Sequence, residues 1–267
     1  MSAYNQLLEA TIDHVQRLKA QGVSHLAVTP AKLAALSAAT PPTPALPKAA
    51  SIPIAAPVVG LSKSAALAAL RARVMPCISC AHLASSRTQV VFGVGNPEAE
   101  LMFVGEAPGA DEDEQGEPFV GKAGQLLTRI IQTMGLTRDQ VYIANILKCR
   151  PDTPGQTAGN RKPTPAEMDA CRPYLMEQIQ IIQPRALVAL GATAVEGLLG
   201  KTEGITKLRG HWREFAGIPM MPTFHPAYLL RNQALSEKRK VWEDMLAVME
   251  RLGMSISAKQ RGFFLRE

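Results

Sequence analysis

No run in this chain of 267 residues reaches the roughly 18 consecutive apolar residues that a transmembrane helix needs. The opening stretch, Met1 to Gln16, has neither the basic segment nor the apolar segment of a secretory signal. The expectation is a cytoplasmic protein with no membrane partner. Cysteine is scarce, at four residues, and a reducing compartment argues against a disulfide scaffold. Acidic residues are outnumbered, leaving a net charge of +6 at pH 7. The excess is uneven: residues 200–267 hold 12 Lys/Arg against 7 Asp/Glu. Such a surplus suits an anionic partner. The hydrophobic share of 46% is ordinary for a globular protein. The length suits one large domain with an appendage.

Proline divides the chain. Residues 4–21 read as a helix, with Leu7, Leu8, Ile12, Val15 and Leu18 on one face. Residues 28–60 are rich in Ala and Pro, with six prolines from Pro41 to Pro57. That density excludes helix and central strand and marks a semi-extended linker. The expected division is 1–27 helical segment, 28–60 linker, 61–255 catalytic domain and 256–267 tail.

Beyond Leu61, strand and helix signals alternate. Ser64 to Val74 reads as a short helix. Val90 to Gly93 reads as an edge strand. Leu101 to Val104, Val141 to Ala144, Ala186 to Gly191 and Pro219 to Phe224 read as further strands. Helices are expected from Lys122, from Thr164 with a Thr-Pro-Ala-Glu capping box, from Ala192, and over Glu237 to Leu252. Strands joined by helices imply crossovers and a parallel sheet covered on both faces. The fold class is α/β, a three-layer α/β/α sandwich around a four-stranded parallel sheet.

The most informative stretch runs from Gly105 to Leu127. It leaves the carboxyl end of a strand and enters a helix, where ligands bind in open α/β sheets. It carries many carboxylates and no cation before Lys122. Pro118-Phe119-Val120-Gly121 is apolar where a solvated loop would be polar.

Cys77 and Cys80 form a CxxC, while Cys149 and Cys171 lie far along the chain, each followed by Arg and, one step on, Pro. Two thiolates at CxxC spacing can grip one metal centre. A tetrahedral zinc site and a four-cysteine iron–sulfur cluster are both open, and spacing does not separate them.

These residues carry a resemblance. Gly105-Glu106-Ala107-Pro108-Gly109, the following Glu112 to Leu127, Tyr142 to Pro151, the four cysteines and His225-Pro226-Ala227-Tyr228-Leu229-Leu230-Arg231 stand in the order seen in type-4 uracil-DNA glycosylases. The chain resembles that iron–sulfur branch over roughly residues 70–252. The resemblance implies a uracil-DNA glycosylase-like fold and excision of uracil from single- or double-stranded DNA by a monomer. It also implies a [4Fe-4S] cluster on Cys77, Cys80, Cys149 and Cys171.

A glycosylase flips its base and reads the Watson–Crick edge in a pocket. Phe119 is the expected stacking face, against the alternative of a core Phe. Asn145, at a strand end, is the expected edge reader, its carbonyl for N3–H and its amide for O4; a turn-forming Asn is the alternative. His225 is the expected donor to O2 of the departing uracil. In the best-known branch an Asp fills the third position of the Gly105 motif. Here Ala107 stands there as part of the pocket, and Glu106 is assigned the water, with Asp111, Glu112 and Asp113 as alternatives. The resemblance also places Glu112 at the wall that would meet thymine's methyl group. DNA contacts are expected from the helix start at Gly191 and Thr193, from Lys207, Arg209 and Arg213, and from Tyr228, Leu229, Leu230 and Arg231, with the core-facing end of a helix as the alternative for one of the two leucines. A related branch traps uracil-DNA covalently through a His between its last two cluster cysteines. The interval Arg150 to Ala170 has no His, which favours turnover. Glu106 favours type 4 over the broader type-5 branch.

Overall fold

The computed structural model describes residues 14, 16–22, 61–152, 161–200 and 203–265. The chain divides into two units, Met1–Ala50 and Ser51–Glu267. In the first, His14 and residues 16–20 are helical, and Gln21 N–H closes the last turn on the Arg17 carbonyl at 3.1 Å. The rest of the expected 4–21 helix and the whole 28–60 linker lie outside the described residues.

The second unit opens with α1 (Lys63–Val74), capped by the Ser62 hydroxyl, and α2 (Ala81–Ser86). A six-stranded sheet follows, with order β1-β3-β2-β4-β6-β5. Its strands are β1 (Val94–Gly95), β2 (Leu101–Gly105), β3 (Tyr142–Asn145), β4 (Ala186–Leu190), β5 (Arg213–Phe215) and β6 (Ile218–Thr223). The inner four, β3-β2-β4-β6, are parallel as expected. Both edges are antiparallel additions, so the sheet is mixed and larger than the four strands read from sequence.

Two differences have local causes. Val90–Gly93 is not a strand; the edge strand is Val94–Gly95, because Gly93 and Gly95 adopt φ of 138° and 129° and break a longer ladder. β5 went unread because it is three residues long and begins with the charged pair Arg213-Glu214. It joins β6 through Ala216-Gly217, both at positive φ (51° and 78°), the conformation of a two-residue hairpin turn.

Each central strand feeds two cores. Met102 and Val104 of β2 and Leu187 and Ala189 of β4 pack with α1, α5 (Pro165–Ile182) and α6 (Ala192–Leu199). Leu101, Phe103, Ala186 and Val188 face the other way, onto α4 (Lys122–Thr133) and α9 (Leu235–Leu252). Period-two alternation thus buries both faces, which is why these strands read as unbroken apolar runs. The capping box of α5 forms as expected: Glu167 N–H donates to the Thr164 hydroxyl (3.3 Å) and Thr164 N–H to the Glu167 carboxylate (2.7 Å). The remaining short helices are α3 (Ala110–Gln115), α7 (Ile205–Leu208), α8 (Pro226–Arg231) and α10 (Ala258–Gly262). No helix among the described residues is long and apolar enough to cross a membrane.

Candidate active site

The parallel strands end together at Gly105, Asn145, Leu190 and Thr223, and connections diverge there, from β2 to β3 on one side and from β4 to β6 on the other. Gly105 pairs with Asn145. A Cβ on Gly105 would stand 2.4 Å from Asn145 Oδ1 and 2.5 Å from Phe119 Cζ. Hydrogen at that position lets the amide and the ring close on one another. Asn145 is 2% exposed, and its Oδ1 is a buried acceptor with no partner among the described residues. Buried polar groups are nearly always satisfied, so an orphan at a strand end points to a ligand.

Phe119 arrives from the acidic stretch, which is not one long loop: α3 interrupts it. Phe119 itself holds φ 56°, an uncommon backbone state for a bulky residue. Arg138 fixes it, donating to the Phe119 carbonyl at 3.1 Å and the Pro118 carbonyl at 2.9 Å. Glu112 fixes the other side: its carboxylate accepts from the backbone N–H of Gly109 (2.9 Å), Val120 (3.0 Å) and Gly121 (3.0 Å). The carboxylate thereby ties α3 to the segment bearing Phe119.

His225 stands beside that ring, with centroids 5.6 Å apart. It is the N-cap of α8, and its Nδ1 accepts the Ala227 N–H at 3.1 Å. An accepting Nδ1 places the ring proton on Nε2. Burial, then the nearby charge of Arg231, pulls the His225 pKa down to about 4, so the ring is neutral at pH 7. Gly191, at φ 94° after β4, makes room for it: a Cβ there would lie 3.0 Å from His225 Cβ.

Among the carboxylates, Glu112 is committed to backbone N–H groups, and Asp113 is 4% exposed with Oδ2 accepting from Thr88 N–H at 2.9 Å. Asp111 is exposed. Glu106 directly follows Gly105 and is partly buried; its carbonyl accepts from Leu147 N–H at 3.1 Å, and its carboxylate has no hydrogen-bond or ion-pair partner among the described residues. Ala107, next along, packs against the core on the α5 side.

The expected DNA contacts separate. Lys207, Arg213 and Arg231 are exposed and Leu230 partly so. Thr193 is buried in the first turn of α6. Two expectations are corrected. Arg209 is an internal residue: its guanidinium pairs with both oxygens of Asp244, donates to the Lys240 carbonyl at 2.7 Å and lies over the Phe224 ring. Leu229 is 5% exposed and belongs to a small core with Phe224 and Val241, the inward side of α8. Tyr228 is half-committed, its ring 4.5 Å from Phe224 and its hydroxyl donating to Glu237 at 3.0 Å.

The four cysteines come together. Cys77 follows α1, Cys80 caps α2, Cys149 follows β3, and Cys171 lies in α5; all line one cavity with Leu83, Lys148 and Tyr174. The thiols are unpaired. Arg87 donates to Cys149 Sγ and Lys148 N–H to Cys171 Sγ, each at 3.2 Å. Burial pushes Cys171 up to about 12, with Lys148 opposing, and Cys80 up to about 11. At Cys77 burial also raises the pKa, but hydrogen bonds with Ser79 and Tyr174 outweigh it. Among the described residues no group of three or more His, Cys, Asp or Glu side chains is arranged to hold a metal ion. The four thiols on one cavity are a donor set that would fit a four-cysteine metal centre.

Sequence reasoning missed Arg138 and Lys148, and it read Gly105 and Gly191 as a motif start and a helix start without seeing the close approaches they allow. A glycine closing an apolar strand is the one signal that pointed to a close approach.

Residues 92–246 match the family model described as the Uracil DNA glycosylase superfamily. The chain is 48% identical over 176 residues to a type-4 uracil-DNA glycosylase of Thermotoga maritima, covering 65% of this chain and 88% of that one. It is 41% identical over 205 residues to the type-4 enzyme of Sulfurisphaera tokodaii, covering 73% and 89%. It is 40% identical over 173 residues to that of Archaeoglobus fulgidus, covering 62% and 83%.

Proposed function

The chain belongs to the uracil-DNA glycosylase superfamily, in its type-4 branch, and from that premise we propose that it excises uracil from DNA for base excision repair through the site around Asn145. The observation that carries this reading is the buried Asn145 Oδ1, without a partner among the described residues, beside Phe119, whose ring in turn stands beside His225. A flipped uracil stacks on Phe119. Asn145 accepts from N3–H and donates to O4. His225 donates a hydrogen bond from Nε2–H to O2. The Glu106 carboxylate orients a water toward C1′ and takes its proton. The water oxygen bonds to C1′, the C1′–N1 bond breaks, and its electron pair leaves with uracil, shared between N1 and O2. The products are free uracil and an abasic site. Glu112 and Ala107 shape the pocket wall, Glu112 by holding Val120 and Gly121 in place.

DNA, single- or double-stranded, lies along the strand-end face against Arg231, Leu230, Tyr228 and the start of α6 at Thr193, with Lys207 and Arg213 adding charge. The protein acts as a monomer in the cytoplasm. Residues 61–255 form the catalytic domain, preceded by the 1–27 segment and the 28–60 linker and followed by the tail at 256–267. Cys77, Cys80, Cys149 and Cys171 hold a [4Fe-4S] cluster. When bound, it ties the segment after α1 to the β3 loop and to α5, a structural role.

Two results test this reading. Purified protein should be brown and contain iron and acid-labile sulfide; one zinc per chain without iron would refute the cluster. Asn145→Asp should weaken uracil release, because the donor to O4 becomes an acceptor, a change of about 1–3 kcal/mol. Some cytosine release should appear, since the cytosine N4 amine donates. Unchanged uracil turnover in that variant removes Asn145 from the site.

A further inference from the structure

Lys148 is a buried cation that the reaction above does not use. Its side chain is among the largest fully buried ones, at 1% exposed. Its ammonium donates to the Asn145 main-chain carbonyl at 3.0 Å and to Gln178 Oε1 at 2.6 Å. Gln178, itself fully buried, donates to the Phe92 carbonyl at 2.9 Å and to the Tyr142 hydroxyl at 3.2 Å. The Lys148 backbone is held at both ends, its N–H donating to Cys171 Sγ at 3.2 Å and its carbonyl accepting from Val91 N–H at 2.8 Å. One residue therefore bridges the base reader and the cysteine-lined cavity.

Burying an ammonium is costly unless its protons are satisfied, and an apolar chain of equal length would avoid that cost. The contact it makes is informative. Among the described residues, Asn145 Oδ1 has no partner to keep it aimed. Its direction depends on the packing of Gly105 and Phe119 and on the backbone torsion of Asn145, the last residue of β3. That torsion is set by where the Asn145 carbonyl points, and Lys148 holds that carbonyl.

We propose that Lys148 is a positioning residue whose ammonium clamps the Asn145 carbonyl and so couples the aim of the uracil-reading amide to the cysteine-lined cavity. The inference rests on the reading of Asn145 as the uracil reader. Lys148 touches neither uracil nor the reacting atoms; it acts through Asn145.

The test is Lys148→Met, which keeps chain length and removes the charge. Two constants are measured on the iron-loaded protein: inhibition by free uracil, which samples the pocket, and affinity for DNA carrying an abasic site, which does not. Free uracil should inhibit about tenfold more weakly, the loss of one charge-assisted hydrogen bond's worth of alignment. Abasic-site affinity and iron content should stay at the parental level. An unchanged uracil constant overturns the clamp. A parallel fall in both constants overturns it too, in favour of a general structural role. If Lys148→Met does not yield folded protein, Gln178→Met carries the test, since it removes the second anchor of the ammonium away from the pocket. The same split, at about threefold, is then expected, and its absence overturns the proposal. Asn145→Asp measured alongside separates the layers. If it leaves uracil inhibition unchanged, the pocket reading fails; if it changes inhibition and Lys148→Met does not, only the clamp fails.

Discussion

Replacing His225 by alanine should lower the single-turnover rate of uracil release by about 10²–10³-fold, the cost of losing one preorganised oxyanion donor. Charge builds on uracil O2 only as the glycosidic bond breaks. A donor already aimed at that oxygen therefore favours the transition state over the ground state. The imidazole is prepared for this by its surroundings. Ala227 N–H occupies Nδ1 and leaves the proton on Nε2, while burial and Arg231 keep the ring neutral. Binding to DNA with an uncleavable uracil analogue should change little, because phosphate contacts dominate affinity. Cleavage at the parental rate would refute the role and move attention to Lys122 and Arg231.

The same residue sets an expectation for pH. The His225 pKa is lowered from 6.5 to about 4 in the folded protein. Its share of stability is fully present above pH 6.5, where both states are neutral. Between pH 6.5 and about 4 the unfolded chain binds a proton that the folded protein does not, so stability falls with pH and is lost through the folded value. The uracil-release rate should show no inflection near pH 6.5. An inflection there that disappears in His225→Ala would mean that the ring titrates normally.

Gly105→Ala should be nearly as damaging as loss of His225, with uracil release down about 10²-fold and stability reduced by about 1–3 kcal/mol. The new methyl group would stand 2.4 Å from Asn145 Oδ1 and 2.5 Å from the Phe119 ring. Both neighbours are buried, and Phe119 is further fixed by Arg138, so neither can move aside cheaply. The pocket would lose the base reader and the stacking face together. Uracil inhibition and release rate measured on the variant check this; parental values for both would show that the two side chains do not form one pocket.

What could be read from sequence followed the strength of each local pattern. β2 and β4 were legible because burial on both faces makes them apolar runs, and β6 through the Met220-Met221 pair set between Pro219 and Pro222. The α5 capping box was legible because its hydrogen bonds join residues three apart. β5 was not, since pairing along an edge leaves Arg213 and Glu214 exposed. Asn145, Phe119 and His225 were legible through motifs. Their mutual geometry depends on Gly105 and Gly191, whose contribution is the absence of a side chain. Arg209 was misread because a positive charge in a basic region looks solvent-facing. Its partner Asp244 lies 35 positions away, on the helix packed behind β6. That one of Leu229 and Leu230 faces the core was legible, but not which, because spacing alone does not say which of two adjacent leucines a six-residue helix turns inward; it is Leu229.

The central claim is that the pocket at the strand ends turns over uracil in DNA. The most direct measurement incubates the iron-loaded protein with an oligonucleotide containing one uracil. Half of the reaction is assayed for free base, and half is run on a denaturing gel before and after alkali. The account predicts stoichiometric free uracil, strand cleavage after alkali, no retarded protein–DNA band, and loss of all signal with thymine in place of uracil. A denaturation-resistant protein–DNA adduct, or uracil still attached to its sugar, would contradict it.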